Sequence, residues 1–335
     1  MSAATPAARE DHLATTGAIN RKAALASVAV ALILATAKSW AVLRTESIAM
    51  LGSLADTGLD LVASLVTLFA VRLAARPADY DHRFGHGKAE ALAALFQVSL
   101  ISVAAVLIIL RSVERFGSAG TPTAIEYGIG VSVLAIALTI LLVSYQARAI
   151  RATGSVAISA DSLHYRSDLL LNGSVILALV LETAMHLRGA DALFGLGIGL
   201  WLALSAGRTA MHAIGELMDK EWPLEKRQRF LDIAERHPAL HGIHDLRTRS
   251  SGSHDIAQFH IWLDPHMSLK QAHDVMEDIT RDLTADFPGL ELIIHPDPAD
   301  QPEGGDLLTQ QDARTVLVNE AAASGKAPGP ETPVP

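Results

Sequence analysis

The amino-acid sequence predicts a polytopic α-helical membrane protein with six transmembrane helices, followed by a small α+β domain. Half of the 335 residues are hydrophobic and only 19% are charged, and the mean hydropathy is +0.29. This composition is too apolar for an ordinary water-soluble domain. Six apolar stretches each approach the ~20 residues that a transmembrane helix needs. After residue 213 these stretches give way to shorter amphipathic patterns.

The six predicted transmembrane helices account for most of the chain before residue 214. They are Ala23–Leu43, Ile48–Ala74, Ala89–Leu110, Ile125–Tyr145, Ile158–Met185 and Ala192–Ala213. An even number of spans places both termini on the same side of the membrane. Most Lys and Arg residues near the span ends lie on that side, which predicts cytoplasmic termini. The N-terminus lacks the pattern of a cleavable signal peptide, so we expect the first span to be retained.

The chain after the sixth span alternates between helical and strand patterns. The predicted elements are helix Pro223–His237, strands Gly242–Arg249 and Asp255–Leu263, helix Ser268–Phe287 and strand Glu291–His295. This αββαβ order predicts a small α+β sandwich with helices on one face of a three-stranded sheet. The last residues are rich in Gly, Pro, Ala and Glu, which predicts disorder. The predicted domains are a cytoplasmic N-terminal segment (1–20), a transmembrane domain (21–213), a cytoplasmic domain (214–298) and a disordered tail (299–335).

Several function classes are excluded by what the sequence lacks. It has no cysteine, so disulfides and thiolate metal sites are ruled out, and any metal must be bound by His, Asp, Glu or backbone oxygen. The formal net charge is −9, which does not favour nucleic-acid binding. No HExxH, GxSxG, Walker A or GxGxxG motif is present. The sequence therefore indicates no enzyme and no nucleotide cofactor, and any transport would run on an ion gradient.

Two ionisable doublets interrupt apolar stretches. Asp56 and Asp60 lie in the second predicted span, and His164 and Asp168 lie in the fifth. Each doublet is spaced i, i+4, so its two side chains share one helix face. A charge near the bilayer centre costs at least about 2.5–3.5 kcal/mol on insertion scales, so such residues usually have a partner or a function. Three carboxylates and one imidazole are enough for a tetrahedral divalent-metal site.

A metal at these doublets also provides a chemical basis for exchange with protons. The ligands must lose protons to bind a metal, so binding releases protons and protonation releases the metal. The alternative is that the carboxylates cap helix kinks or pair with a cation such as Arg166. Asp161, one turn before His164, is interpreted as a polar residue near the cytoplasmic end of its helix.

Two further groups of potential ligands lie outside the predicted spans. Asp79, His82 and His86 fall in the loop PADYDHRFGHGKAE, where Gly residues favour a turn and Asp81 is an equally available carboxylate. The C-terminal domain contains a larger set that a compact sandwich would bring together. Its members are His244, His260, His273, His295 and Asp297. Lys88 and Asp219 flank the membrane and, taken singly, are helix-end charges.

Six motifs together resemble the cation diffusion facilitator (CDF) family, most closely its bacterial zinc and ferrous-iron efflux branch. They are LADTGLD, PADYDHRFGHGKAEALAAL, DSLHYRSDLLLNG, HDLRTRSSG, QAHDVMED and IIHPDP, and the likeness covers roughly residues 20–300. The resemblance implies six spans, a metallochaperone-like cytoplasmic domain, a homodimer and a bacterial inner-membrane location. One departure is Pro296, where the closest relatives can carry Gln.

The resemblance also implies a role for each candidate residue. Asp56, Asp60, His164 and Asp168 match an intramembrane transport site. Asp79, His82 and His86 match a loop metal site, which favours Asp79 over Asp81. The set His244, His260, His273, His295 and Asp297 matches a binuclear site at the dimer interface. Lys88 and Asp219 match a charge interlock between the membrane halves of the dimer.

The sequence and the resemblance together predict a divalent metal/proton antiporter that exports Zn²⁺ by alternating access. Its expected partners are a second copy of the chain, membrane lipid, metal ions and protons, with Zn²⁺ both transported and regulatory. Fe²⁺, Cd²⁺, Co²⁺ and Mn²⁺ suit the same donor set. A membrane-bound metal sensor without flux is the main alternative. A membrane metalloenzyme would need an open coordination position, and the fourth ligand fills it.

Overall fold

The computed structural model describes residues 6–45, 48–116, 129–185, 190–299 and 311–323. The chain divides into two compact units, Thr15–Leu217 and a second unit that combines Met1–Ala14 with Met218–Pro335. The division at Leu217 lies a few residues beyond the predicted boundary at 213.

The first unit is built of long helices, the first of which begins in the segment Met1–Ala14 that is assigned to the second unit. They are α1 (Pro6–Thr45), α2 (Ile48–Ala74), α3 (Ala89–Phe116), α4 (Ile129–Thr153), α5 (Val156–Met185) and α6 (Ala190–Leu217). The shortest has 25 residues, which at ~1.5 Å per residue exceeds the ~30 Å thickness of the hydrocarbon core. Over the described residues, five of them (α1, α2, α3, α4 and α6) are apolar enough to cross a membrane. The structure therefore confirms the predicted polytopic helical class; the start of the predicted span Ile125–Tyr145 lies outside the described residues.

Close helix packing in this unit depends on small residues. A Cβ atom added at Gly199 of α6 would lie 2.7 Å from the Ile109 side chain of α3. Real Cβ atoms essentially never approach another atom this closely, so a larger residue at position 199 would force the two helices or the Ile109 side chain to shift. The apolar contacts that continue this interface include Ile101 and Leu202, both almost completely buried.

The second unit contains the predicted αββαβ arrangement, which is confirmed. Its elements are α7 (Leu224–Ala234), β1 (Gly242–Ser251), β2 (His254–Leu263), α8 (Leu269–Asp286) and β3 (Glu291–Pro298). The sheet order is β1-β2-β3, with β1 and β2 antiparallel and β2 and β3 parallel. Gly252, with φ +61°, makes the tight turn between β1 and β2. Ser268 caps α8 in a reciprocal capping box with Gln271.

The two faces of this sheet differ in character. Phe259 and Ile261 of β2 are fully buried and belong to the same core as Phe230 of α7 and Leu283 of α8. Because side chains alternate along a strand, His260 points to the opposite face. The helices therefore cover one face, and the histidines of the strands gather on the other.

The prediction that residues 299–335 are disordered is wrong for residues 311–323. Ala313–Ala323 forms a helix, α9, whose residues Ala313, Leu317 and Ala321 are buried in the core of the C-terminal domain. Their i, i+4, i+8 spacing gives α9 one apolar face, a pattern that the overall Gly/Pro/Ala/Glu composition hides. Arg227 Nη2 of α7 also donates to both carboxylate oxygens of Glu320, at 2.7 and 2.8 Å.

Truncating the buried face of α9 should release this helix. Leu317 is only 3% exposed, so we expect Leu317→Ala to destabilise the α9 docking by about 2–4 kcal/mol, as buried Leu→Ala changes do. Hydrogen exchange of full-length protein should show lost protection in α9 and α7. Val318→Ala is the matched control because Val318 is 46% exposed. Equal protection losses in the two variants would contradict the assignment.

Candidate metal sites

The intramembrane cluster joins α2 to α5. His164 Nε2 lies 2.7 Å from Asp60 Oδ1 and 3.8 Å from Asp168 Oδ2. One potential ligand atom from each residue falls within 4.8 Å of the others, and all three side chains are half-buried. Two carboxylates and an imidazole converging at this distance are a donor set that suits a divalent cation.

The fourth residue predicted for this cluster lies apart in the structure. Asp56 is on α2 one turn before Asp60, is exposed, and does not join the group of three. Arg166, the suggested neutralising cation, is exposed on α5. The cation found nearby is instead Lys38 of α1, which donates to Thr57 Oγ1 at 2.6 Å and to the Ser53 carbonyl at 3.1 Å.

The loop after α2 brings its three predicted residues together. Asp79 Oδ1 lies 3.2 Å from His82 Nδ1, and Asp79 Oδ2 lies 3.3 Å from His86 Nε2. Gly85, with φ +79°, makes the turn that the Gly-rich sequence predicted. The two imidazole centroids are 4.4 Å apart. Asp81 lies outside the group and donates its backbone N–H to Asp79.

Ionised Asp79 organises this loop. The His82 backbone N–H donates to Asp79 Oδ1 at 2.7 Å, and this bond lowers the pKa of the Asp79 carboxyl below its usual value. Because the folded-state pKa is lowered, the stabilisation is complete above the unfolded pKa and is lost as the pH falls through the lowered value.

Loop order should therefore survive to acidic pH. We expect the amides of Asp81 and His82 to stay protected until the pH is below about 3.9, the ordinary aspartate pKa. The measurement is amide exchange between pH 2 and 6, corrected for the intrinsic rate. Asp79→Asn cannot ionise and should show no transition in this range. A midpoint at or above the ordinary value would contradict the role of Asp79.

The third cluster lies on the sheet face opposite the helices. His244 Nε2 and His260 Nδ1 approach the same oxygen, Asp297 Oδ2, at 3.2 and 2.8 Å. His295 Nε2 lies 3.1 Å from Asp297 Oδ1. The register explains this convergence, because His244 pairs with His260 across β1 and β2, and His260 pairs with His295 across β2 and β3. Asp297 is nearly buried, at 5% exposure.

This donor set fits a transition-metal ion. Imidazole nitrogens and a carboxylate are common ligands of Zn²⁺ and its neighbours, and here they come from rigid strands rather than from loops. His244 is further held by stacking on Trp262, with ring centroids 4.3 Å apart. His244, His260 and Asp297 would hold the ion, with His295 at the edge of the same cluster.

The remaining predicted residues lie outside the three clusters. His273 is exposed on α8 and does not join the strand histidines within this chain. Lys88 donates to the Leu217 carbonyl at 3.2 Å. Asp219 pairs with Arg249 at 3.3 Å. Because the structure contains one chain, it does not test the predicted charge interlock between two copies.

Sequence reasoning assigned no site role to two other residues that lie near these sites. Asp161 is fully buried and accepts several hydrogen bonds, although its sequence position suggested a helix-end polar residue. Its i, i+3 spacing from His164 was the available signal. Asp245 has φ +47° at the irregularity in β1, and its Oδ2 lies 3.9 Å from His260 Nε2. No sequence pattern marked that bulge.

The first unit is a set of membrane-length helices that holds an imidazole–carboxylate cluster. The C-terminal domain holds another such cluster. Together these features define a metal-handling membrane protein. The cation efflux transmembrane domain family matches residues 24–218, and the cytoplasmic domain family of cation efflux proteins matches residues 222–299. The chain belongs to the cation efflux family, as its motifs indicated.

Similar proteins span nearly the same length. The cation-efflux pump FieF of Cronobacter sakazakii is 41% identical over 282 residues, covering 84% of this chain and 94% of that protein. FieF of Yersinia pestis is 42% identical over 278 residues, covering 83% and 92%. A solved structure of CzrB in its Zn form is 30% identical, with a TM-score of 0.24, and covers 25% of this chain and 98% of its own.

Proposed function

We propose that this protein is a divalent metal cation/proton antiporter that exports Zn²⁺ from the cytoplasm across the bacterial inner membrane. The observation that best supports this proposal is the cluster of Asp60, His164 and Asp168 between two membrane helices. Similarity to cation-efflux pumps along most of the chain supports efflux as the direction. Fe²⁺ and Cd²⁺ are further substrates that the same oxygen and nitrogen donors suit.

The exchange follows from the acid–base chemistry of the cluster. Neutral His164 and ionised Asp60 and Asp168 bind the cation, with Asp56 as the fourth ligand one turn along α2. When the site faces the outside, protons that bind His164 and the carboxylates displace the cation, because a ligand cannot hold both. An inward proton gradient then drives export through alternating access.

The loop residues Asp79, His82 and His86 form a second metal site in this proposal. The C-terminal domain forms a third, regulatory Zn²⁺ site and joins two chains into a homodimer. His273, exposed on α8, lies apart from the strand cluster and would complete the binuclear site at the dimer interface. Lys88 and Asp219 would form the charge interlock between the membrane halves. Metal in this domain would favour the transporting state only if its affinity differs between the two states.

Reconstitution in proteoliposomes tests the proposal. With an imposed pH gradient, zinc should accumulate against its gradient while protons move the opposite way, as followed by a zinc dye and a pH dye. A membrane-bound sensor would bind zinc with no flux of either ion. A metalloenzyme would likewise show no coupled flux. Zinc flux that ignores the pH gradient would overturn proton antiport, and competition among metals would rank the substrates.

A further inference from the structure

Asp161 is the centre of a buried polar network that holds α5 among four neighbouring helices. Its Oδ2 accepts from Ser27 Oγ of α1 at 2.6 Å and from Gln146 Nε2 of α4 at 2.7 Å. Its Oδ1 accepts from Gln97 Nε2 of α3 at 2.9 Å, with Ser64 Oγ of α2 at 3.5 Å. The Asp161 side chain is completely buried.

Hydrogen-bond direction distinguishes Asp161 from a metal ligand. An ionised carboxylate only accepts hydrogen bonds, and neutral donors occupy both oxygens of Asp161. The Ser27 hydroxyl accepts from Gln146 Nε2 at 3.0 Å, and of its two acceptors Asp161 Oδ2, at 2.6 Å, is closer than the Ala23 carbonyl, at 3.3 Å. These donors satisfy the negative charge without a cation, and they would repel one.

The glutamines also indicate a negative charge at Asp161. Both Nε2 groups face the carboxylate, and the buried Oε1 atoms of Gln97 and Gln146 have no hydrogen-bond partner among the described residues. Leaving a buried acceptor unpaired is unfavourable, so something must offset the loss. Charge-assisted hydrogen bonds to an ionised carboxylate are strong enough to fix both amides in this orientation.

The network reaches the metal cluster from both sides of His164. Asp161 lies one helical turn before His164, and Tyr165 directly follows it. Tyr165 Oη lies 3.0 Å from Ser64 Oγ and donates to the Ser27 carbonyl at 3.3 Å. Its ring packs edge-on against the His164 imidazole, with centroids 5.7 Å apart. Since Ser64 is one turn after Asp60 on α2, these contacts fix α5 against the helix that carries Asp60.

We infer that Asp161 is a positioning residue for metal binding: its carboxylate anchors α5 so that His164 meets Asp60. The inference rests on the proposed function, since it concerns the same cluster. Its test is zinc binding rather than flux, which keeps the two separable. Failure of wild-type protein to bind or transport zinc would count against the proposed function alone.

Asp161→Asn is the central variant because it keeps the size and removes the charge. The full-length protein in detergent would also carry Asp79→Ala and Asp297→Asn, so that the measured affinity reports the intramembrane cluster. We expect zinc affinity to fall about tenfold, within the 10–100-fold range seen when supporting partners of metal ligands are lost. In proteoliposomes the KM for zinc should rise by a similar factor, with a smaller change in maximal rate.

A second variant tests whether the effect is local to the network. The double variant combines Asp161→Asn with Gln146→Glu, which exchanges the carboxylate and the amide between the two positions. The carboxylate at position 146 then accepts from Ser27 and from the side-chain amide at position 161. We expect affinity to recover to within about threefold of wild type, since the lost charge-assisted bond is restored. If Asp161→Asn alone folds poorly, Ser27→Ala removes one donor and should weaken binding in the same direction.

Glu90→Gln is the matched control. Glu90 is also a buried carboxylate, and it accepts from Asn20 of α1 and from Ser155 before α5, but within the described part of the chain it has no hydrogen bond to the Asp161 network. We expect Glu90→Gln to leave zinc affinity within about twofold, because its contacts end at the start of α5, about two turns before His164. Wild-type affinity in Asp161→Asn, no recovery in the double variant, or an equal loss in Glu90→Gln would each overturn the inference.

Discussion

Replacing Asp60 with asparagine is expected to lower zinc transport by about two orders of magnitude or more, since even outer partners of metal ligands are worth about 10–100-fold. Asp60 Oδ1 is the closest carboxylate oxygen to His164 Nε2, at 2.7 Å. Asparagine preserves the shape but supplies no negative charge to offset that of the cation. It also cannot take up a proton in exchange for the metal, so both halves of the proposed antiport cycle would be lost.

Initial zinc uptake in proteoliposomes at a fixed pH gradient measures this effect. Asp81→Asn is the control, because Asp81 is exposed in the loop and joins none of the clusters. Its rate should match wild type. Asp56→Asn should lower the rate by less than Asp60→Asn does, because the proposed fourth ligand Asp56 is exposed and lies one turn away from the cluster. A wild-type rate for Asp60→Asn would remove the central residue of the proposed transport site.

The intramembrane cluster was predictable because its signal is local. Two doublets at i, i+4 in apolar helices are visible in any window of the sequence, and three of the four residues meet in the structure. The Asp161 network was not predictable in the same way. Its donors come from separate helices, with Ser27 134 positions away along the chain. A single Ser or Gln in an apolar helix carries no sign of where it points.

The C-terminal domain shows the same division between local and non-local signals. His295 and Asp297, two residues apart on β3, and the alternation along β2 were readable from the sequence. The backbone irregularity in β1 that aims Asp245 toward His260 was not. The helix α9 was missed for another reason: composition averaged over the tail concealed a short stripe of apolar residues that is buried in the core of the C-terminal domain.

Zinc should stabilise the C-terminal domain, and Asp297→Asn should abolish this stabilisation. A ligand that binds only the folded state raises the free energy of unfolding by about 2.7 kcal/mol at a concentration of 100 times its Kd. Asp297 is the residue that both His244 and His260 approach, at 3.2 and 2.8 Å. Without its charge, the two imidazoles lose the one carboxylate oxygen that both approach, while Asp245 Oδ2 lies farther away, at 3.9 Å from His260 Nε2.

The measurement is hydrogen exchange of the β1, β2 and β3 amides in full-length protein, with and without zinc. Trp262 provides an independent signal, because it stacks on His244 and its fluorescence should respond when that imidazole binds a metal. His266→Ala is the control: His266 is exposed on the loop after β2, outside the cluster, and should leave the zinc effect intact. If zinc still protects the strand amides from exchange in Asp297→Asn, the stabilising ion binds outside this cluster. Protection lost equally in His266→Ala would show that it depends on surface histidines rather than on the strand cluster.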